Sequence, residues 1–302
     1  MRLVFAGTPA VAVPSLNALA ERFDIAAVIT REDAPLGRKR ILTPSPVADA
    51  AGELDLPVIK ANRLDDDVTD QVARLEADLG VIVAYGGLVR EPLLSTPRLG
   101  WVNLHFSLLP RWRGAAPVQR AVMAGDTETG AMVFQLVPGL DAGDVFSELR
   151  IPIPADATAG ELLDTLSYDG SLLLVDTVAA LADGSAESVP QSGDPVLAPK
   201  LTIDDAHLDL TQPVEEVYAR LRGVTPEPGA WALLDGERFK VHTARPATGL
   251  SLPAGVVAAN EGRIEVGTGT TPLELLTVQP AGKRAMDAAD WWRGAGGEAV
   301  LS

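Results

Sequence analysis

Apolar residues in the first half of the chain fall into short continuous runs separated by stretches with helical spacing. Residues 2–6, 25–29 and 79–84 are apolar runs apart from Arg2, which is typical of strands buried on both faces of a sheet. Between the first two runs, Val13, Leu16 and Leu19 recur at the spacing of one helical face. A strand–helix–strand order predicts a parallel sheet whose connections cross in the right-handed sense.

The same periodicities predict the other elements of this half. We expect helices at residues 9–22, 47–54, 65–77, 116–123 and 161–181, and further strands at 57–59, 101–104, 130–137 and 145–151. Residues 30–46 contain Pro35, Gly37, Pro44 and Pro46. We expect them to form a long loop without regular structure, which in a compact domain is usually functional or disordered.

Beyond residue 200 the pattern changes to short strands at 231–234, 239–243, 255–259, 264–267 and 273–278, preceded by a short helix at 214–222. Short strands separated by regular turns predict a small barrel. Residues 182–199 are rich in Gly, Ser, Pro and acidic residues, which is typical of a linker. The predicted fold is therefore a Rossmann-like α/β domain with a mostly parallel sheet over residues 1–182, a linker over 183–203, and a small OB-like C-terminal β-barrel over 204–302.

The composition narrows the choice of function. The chain has 302 residues, a formal net charge of −16 and no cysteine. The charge argues against a broad phosphate-binding surface, so any nucleic-acid contact has to be local. The lack of cysteine excludes disulfides and thiolate catalysis and fits a reducing cytoplasm. Because we find neither a long apolar run nor the pattern of a signal peptide, we expect a cytoplasmic protein without membrane association.

Basic residues are nevertheless concentrated in two places, although solvated surface charge is the ordinary explanation for such clusters. They comprise Arg31, Arg38, Lys39 and Arg40 in one loop, and Arg111, Arg113 and Arg120 beside the candidate site described next.

The candidate chemistry centres on Asn103 and His105, which lie two residues apart on a predicted strand and therefore share one face. A carboxamide can donate to a developing oxyanion, and an imidazole can move a proton near neutral pH. Asp141, in a glycine-containing loop of the same domain, could orient the imidazole. Such a site suits direct acyl transfer to an amine. From spacing alone, a strand-ending Asn and a structural core His explain the pair as well.

Other function classes are less compatible with the sequence. A nucleotide-binding dehydrogenase is disfavoured because the glycine fingerprint of dinucleotide-binding folds is absent after the first strand. A noncatalytic RNA-binding module is disfavoured by the net charge of −16. Of the three histidines, His207 and His242 lie outside the candidate pocket and are expected to be structural.

Two segments carry a family resemblance: residues 103–117 read NLHFSLLPRWRGAAP, and residues 139–144 read GLDAGD. Together they resemble the 10-formyltetrahydrofolate-dependent formyltransferases. The match continues in FAGTP at residues 5–9, in GRKR at 37–40 with TPSPV at 43–47, and in PEPGAW, GKRAM and WWRG beyond residue 225. These last features are similar to family members that act on methionyl initiator tRNA, and the resemblance runs nearly end to end.

The resemblance implies transfer of the formyl group of 10-formyltetrahydrofolate to the α-amino group of methionyl initiator tRNA, for translation initiation. Asn103, His105 and Asp141 match the catalytic positions. The implied folate-binding residues are Ser107, Leu108, Leu109 and Pro110, with Tyr85, Gly86, Gly87 and Leu88 lining the pterin pocket. The implied tRNA-binding residues are Arg38, Lys39, Arg40 and Lys200. We expect no metal ion and a monomer.

One residue departs from the family pattern, and two alternatives remain within the same fold. Phe106 stands where family members commonly carry a small residue. A formyltransferase for a small amine, or a formyltetrahydrofolate hydrolase, would share the three catalytic residues. Neither of these enzymes has a use for a basic loop together with a C-terminal barrel, so the tRNA substrate is favoured.

Overall fold

The computed structural model describes residues 1–37, 39–249 and 251–302. The chain divides into two compact units. The first unit consists of Met1–Pro117, Thr129–Ile151 and Leu163–Ala198, and the second consists of Val118–Glu128, Pro152–Leu162 and Pro199–Ser302. Among the described residues, no helix is both long enough and apolar enough to cross a membrane.

The strands are β1 (Arg2–Gly7), β2 (Asp24–Thr30), β3 (Ala34–Leu36), β4 (Ile41–Thr43), β5 (Val58–Lys60), β6 (Leu79–Val83), β7 (Trp101–His105), β8 (Arg113–Gly114), β9 (Glu128–Gln135), β10 (Val145–Pro152), β11 (Leu197–Ala198), β12 (Trp231–Leu234), β13 (Glu237–Pro246), β14 (Val257–Asn260), β15 (Arg263–Val266), β16 (Leu273–Gln279) and β17 (Met286–Asp287). The helices are α1 (Val13–Ala20), α2 (Pro46–Glu53), α3 (Asp66–Arg74), α4 (Pro117–Met123), α5 (Ala159–Asp183), α6 (Val214–Gly223) and α7 (Ala288–Gly294).

The first unit is built on a seven-stranded sheet with the order β10-β9-β7-β6-β1-β2-β5. β1 pairs in parallel with β2 and β6, β2 with β5, and β6 with β7, whereas β9 is antiparallel to β7. The predicted Rossmann-like, mostly parallel sheet is confirmed. From β1 the chain extends the sheet first through β2 and β5 and then, in the opposite direction, through β6 and β7. Ligands of such sheets bind beyond the carboxyl ends of the strands at this reversal.

The predicted structureless loop at residues 30–46 is wrong in one respect, because β3 and β4 pair there as an antiparallel hairpin. Gly37 and Arg40 at its tip have φ values of +69° and +49°, which provide the left-handed backbone that a tight reversal needs. Leu36 and Ile41 pair across the hairpin while both side chains remain exposed. A ribbon without a buried face has no alternation of apolar and polar residues to reveal it in the sequence. Arg38 lies outside the described residues.

The second unit contains an antiparallel sheet with the order β12-β13-β16-β15-β14, and β17 pairs with β16. Residues 299–302 join its two edges, because Val257 N donates to Ala299 O at 3.0 Å and Leu233 N donates to Ser302 O. The strands curl around a core that includes Phe239 and Trp291, whose ring centroids are 4.6 Å apart. The predicted small barrel is confirmed, and α7, which carries Trp291, is an element that the periodicity did not predict.

Residues 189–198, which fall within the expected linker, belong to the first unit and pair with its other segments. Val189 and Val145 exchange backbone hydrogen bonds of 2.8 and 2.9 Å, and β11 pairs in parallel with β8. At this second contact Gly114 has a φ of +128°. A Cβ atom on Gly114 would also lie 2.7 Å from Ala198 O, so only glycine allows the two backbones to approach this closely.

The core of the first unit supports a stability prediction at Gly80. A Cβ atom at Gly80 would lie 2.1 Å from the indole of Trp101, which is fully buried and donates from Nε1 to Leu93 O at 2.9 Å. Since this indole is held in place, Gly80→Ala should lower the free energy of unfolding by about 1–3 kcal/mol, measured by urea denaturation. Gly52→Ala, on an exposed part of α2 with open space around it, is the control and should raise the value by about 0.5–1 kcal/mol. Equal midpoints for both variants would contradict the prediction.

Candidate active site

The candidate site is a cavity of about 290 Å³ in the first unit, beyond the carboxyl ends of β6 and β7. Asn103, His105 and Asp141 all line it. The other lining residues are apolar or glycine: Ile82, Ala84, Tyr85, Gly86, Gly87, Leu88, Leu104, Phe106, Gly114, Ala115, Pro117 and Leu140. The expected convergence of the three polar side chains at this edge of the sheet is therefore found in the structure.

His105 is almost completely buried, with 6% of its surface exposed. Its Nε2 atom lies 2.9 Å from the backbone carbonyl oxygen of Trp112. Since a carbonyl only accepts, we assign the proton of the neutral ring to Nε2, which leaves the lone pair on Nδ1. Nδ1 is 3.9 Å from Asp141 Oδ2, a distance that allows electrostatic attraction but is too long for a hydrogen bond. Nδ1 is thus available as a base with a carboxylate beside it.

Asn103 is half-buried on β7, where it pairs with Ile82 of β6 and Phe134 of β9. Its side-chain amide has no hydrogen-bond partner among the described residues. A carboxamide at the edge of a mostly apolar cavity, with its N–H groups unused, is suited to bind an oxygen that becomes negatively charged.

Asp141 is held in position by the turn that follows β7. Gly114 N donates to Asp141 Oδ2 at 2.8 Å. Three non-glycine residues around the cavity, Ala84, Trp112 and Asp141, have positive φ values of +48°, +65° and +43°. Such backbone conformations cost of order 1–3 kcal/mol each and are concentrated at functional sites. At Trp112 the conformation accompanies a carbonyl that accepts the His105 hydrogen bond.

A second cavity, of about 560 Å³, shares six lining residues with the first: Ile82, Gly87, Leu88, Asn103, Leu140 and Asp141. It is lined mainly by apolar side chains, among them Val89, Leu94, Phe134 and Leu136. Its volume falls in the usual range for small-molecule sites. An apolar cavity next to a polar catalytic edge can hold a flat aromatic ligand with its reactive group near Asn103 and His105.

The predicted pterin loop lies at these cavities. Tyr85, Gly86, Gly87 and Leu88 line the first cavity, and Gly87 and Leu88 line the second as well. Burial raises the pKa of the Tyr85 phenol above its ordinary value, and the neutral hydroxyl donates to Ala61 O at 2.6 Å. Arg31 secures the loop by donating to the Gly86 carbonyl, and its guanidinium lies 5.5 Å from the Tyr85 ring centroid.

The predicted segment Ser107, Leu108, Leu109 and Pro110 lines neither of these two cavities. Ser107 is fully buried and donates from Oγ to Arg111 O at 2.7 Å. Leu108 and Leu109 pack in an apolar cluster with Met132, Phe134 and Val145. Because Phe134 lines the second cavity, this segment reaches the cavity wall through Phe134.

The basic residues separate into free and internally paired groups. Lys39, Arg40 and Lys200 are exposed, and no hydrogen bond or ion pair joins their side chains to another described residue. Arg113 donates to Gln191 Oε1, and Arg120 binds Asp205 at 3.0 Å. The cluster around the central motif therefore binds the chain itself.

Sequence reasoning missed three participants. The Trp112 carbonyl gives no signal because any residue provides a carbonyl. In the sequence Arg31 is one of four cations in a loop, and only the structure shows that it donates to carbonyls of the cavity loop. Gln191 lies in the expected linker, and its contact with Asp141 depends on tertiary pairing. No group of three His, Asp or Glu side chains in the described part of the chain is arranged to bind a metal ion.

Comparisons with known proteins show which families the two parts of the chain match. The family described as Formyl transferase matches residues 1–178, and Formyl transferase, C-terminal domain, matches residues 200–296. The chain is 74% identical over 302 residues to methionyl-tRNA formyltransferase of Leifsonia xyli subsp. xyli (strain CTCB07), covering 100% of both sequences. It is 58% identical over 296 residues to the protein of the same name from Clavibacter sepedonicus, covering 97% of each.

A solved structure extends the comparison of the fold. The N-formyltransferase from Helicobacter canadensis, in complex with folinic acid and dTDP-3-aminofucose, is 16% identical, with a TM-score of 0.70. The match covers 90% of this chain and 98% of that chain. At this level of identity the likeness shows a shared fold.

The His105 hydrogen bond gives a prediction that needs no substrate. The neutral ring should carry its proton on Nε2, measured from ¹⁵N chemical shifts of the imidazole nitrogens. Because Trp112 O and not Asp141 accepts this proton, Asp141→Asn should leave the tautomer unchanged. The chain has three histidines, so His105→Gln assigns the signal. A neutral ring protonated on Nδ1 would contradict the assignment.

Proposed function

The chain belongs to the formyl transferase family, and we propose that it transfers the formyl group of 10-formyltetrahydrofolate to the α-amino group of methionyl initiator tRNA. The observation that carries this proposal is the convergence of an unpartnered carboxamide, an imidazole lone pair and a carboxylate at one cavity. High identity to methionyl-tRNA formyltransferases over the full chain supports the choice of acceptor.

In the proposed reaction the amine attacks the formyl carbon directly. A free α-amino group has a pKa of about 8, so one imidazole suffices to remove its proton near neutral pH. Nδ1 of His105 takes this proton, and Asp141, 3.9 Å away, stabilises the imidazolium. Asn103 donates from its amide to the oxyanion of the tetrahedral intermediate. The bond between the formyl carbon and N10 of the folate then breaks, and N10 recovers the proton from the imidazolium.

We place the folate donor in the second cavity, with its pterin against Gly87 and Leu88, the two residues of the predicted pterin loop that line this cavity. Backbone groups and apolar side chains suit a flat ring whose edge carries donors and acceptors. Ser107, Leu108, Leu109 and Pro110 contribute by supporting Phe134 and the cavity wall. Phe106 is 6% exposed and lines the first cavity, so its ring narrows the space beside His105.

The acceptor arm of the tRNA is proposed to bind Lys39, Arg40 and Lys200, together with Arg38. The exposed, unpaired state of the first three supports this proposal, because an unpaired cation can neutralise a phosphate without breaking an internal ion pair. The net charge of −16 disfavours nonspecific binding of nucleic acid elsewhere on the chain.

Loss of the imidazole tests the proposed chemistry. His105→Ala should reduce kcat for formyl transfer from 10-formyltetrahydrofolate to methionyl initiator tRNA by roughly 10²–10⁴-fold, because general base catalysis contributes about that much. His242→Ala, in a barrel strand where Nε2 lies 3.0 Å from Gln279 Oε1, is the matched control and should retain activity.

The same assay distinguishes the two alternative activities within this fold. Formyl transfer to a small amine in preference to charged tRNA would favour a small-amine formyltransferase. Release of formate without an acceptor would favour a formyltetrahydrofolate hydrolase. Wild-type turnover in His105→Ala would contradict the assignment of His105 as the general base.

The tRNA-binding residues are tested by salt dependence. Lys39→Ala and Lys200→Ala should each lower kcat/KM for the charged tRNA, and each should reduce the slope of log(kcat/KM) against log[salt] by about 0.7–0.9, the loss of one phosphate contact. KM for the folate should not change. Arg74→Ala, an exposed cation on α3, is the charge-matched control. Slopes identical to the wild type would exclude these lysines from the tRNA contact.

A further inference from the structure

We propose that Gln191 is a positioning residue for formyl transfer: it holds the loop of Asp141 and the turn of Trp112 in the arrangement that places both around His105. This inference rests on the proposed function for its catalytic readout. No catalytic or binding role was expected for Gln191, since it lies in a segment rich in Gly, Ser and Pro that reads as a linker.

Both ends of the Gln191 carboxamide are engaged. Its Nε2 donates to Asp141 O at 2.8 Å and to Gly143 O at 2.9 Å. Its Oε1 accepts from Arg113 Nη2 at 2.6 Å and from Arg113 Nε at 3.2 Å. The guanidinium attracts the amide oxygen, so the amide turns its NH₂ group toward the two loop carbonyls.

The two segments joined by Gln191 are those that contact His105. Arg113 lies between Trp112, whose carbonyl accepts from His105, and Gly114, whose N–H holds the Asp141 carboxylate. A single side chain therefore connects the groups on both sides of the imidazole. Without Gln191, the position of the Asp141 carboxylate depends mainly on the hydrogen bond from Gly114 N. The loop of Asp141 contains two glycines, Gly139 and Gly143, which leave its backbone conformationally free.

Gln191 is itself held in place by backbone pairing on either side. On one side, Val189 and Val145 exchange two hydrogen bonds. On the other, Arg113 N donates to Val196 O at 2.8 Å, and Val196 N donates to Pro110 O at 3.2 Å. Because these anchors do not involve the Gln191 side chain, the side chain can be changed while the segment keeps its path.

Gln191→Glu is the informative substitution. The glutamate has the same shape and can still accept from Arg113, but its second oxygen faces the carbonyls of Asp141 and Gly143, which also carry negative partial charge. The loop is repelled, while the hydrogen bonds to Arg113 become an ion pair. Gln191→Leu removes all four hydrogen bonds at similar volume. Ser192→Ala, an exposed neighbour in the same segment, is the control.

We expect Gln191→Glu and Gln191→Leu to lower kcat by roughly 10–100-fold, as displacements of about 1 Å at a reacting group do. KM for the folate and for the tRNA should stay within about threefold, and Ser192→Ala should match the wild type. In an Asp141→Asn background the effect of Gln191→Glu should largely disappear, since residues that act through one another are not additive. Wild-type kcat in both Gln191 variants, or full additivity with Asp141→Asn, would overturn the proposal.

A second readout separates this inference from the proposed function. The ¹⁵N and ring-proton shifts of His105 report the distance and charge of Asp141 without any substrate. Gln191→Glu should move them in the same direction as Asp141→Asn, and Ser192→Ala should not. Unchanged shifts would refute the role of Gln191, whatever the enzyme acts on. A wild-type protein that fails to formylate methionyl initiator tRNA would instead count against the proposed function, and the shifts would still decide the role of Gln191.

Discussion

The hydrogen bond from His105 Nε2 to the Trp112 carbonyl determines what the site can do, because it decides which ring nitrogen keeps its lone pair. The bond exists because the chain reverses immediately after β7, through Trp112 at φ +65° and Gly114 at φ +128°. The same turn presents Gly114 N to Asp141. One short, strained segment thus provides a hydrogen-bond partner for His105 and another for Asp141. Both partners are backbone groups of the segment and not its side chains.

A strained turn persists only if contacts with the surrounding structure outweigh the cost of its unfavourable backbone conformation. Here the surroundings include β11, which lies so close to Gly114 that no Cβ atom fits, and Gln191, which binds Arg113 in the middle of the turn. The segment that connects the two family domains is therefore part of the catalytic unit along residues 189–198. This segment has the composition of a linker because it connects the two domains, and it is nevertheless paired along residues 189–198.

The basic residues differ in whether their side chains are already bound within the chain. Arg113 and Arg120 hold the chain's own segments, and Arg31 holds the loop at the first cavity, so these cations are not free for phosphates. Lys39, Arg40 and Lys200, in contrast, are exposed, and their side chains bind no other described residue. In a chain with a net charge of −16, cations whose side chains are unpaired can neutralise a phosphate without breaking an internal contact.

The sequence by itself determined the sheet and the barrel, because buried strands need continuous apolar runs and short strands need regular turns. It also pointed to Asn103 and His105, which β-strand alternation places on one face, whereas Asp141 joined them as a candidate through its loop and the family resemblance. It missed the β3–β4 hairpin, whose strands have no buried face to produce a pattern. Only the tertiary structure decided that a carbonyl and not Asp141 accepts the His105 proton, that Asp141 stands 3.9 Å away, and that Gln191 joins the two. Backbone carbonyls and contacts 50 residues apart leave no periodic trace in a sequence, since they depend on where the folded chain returns.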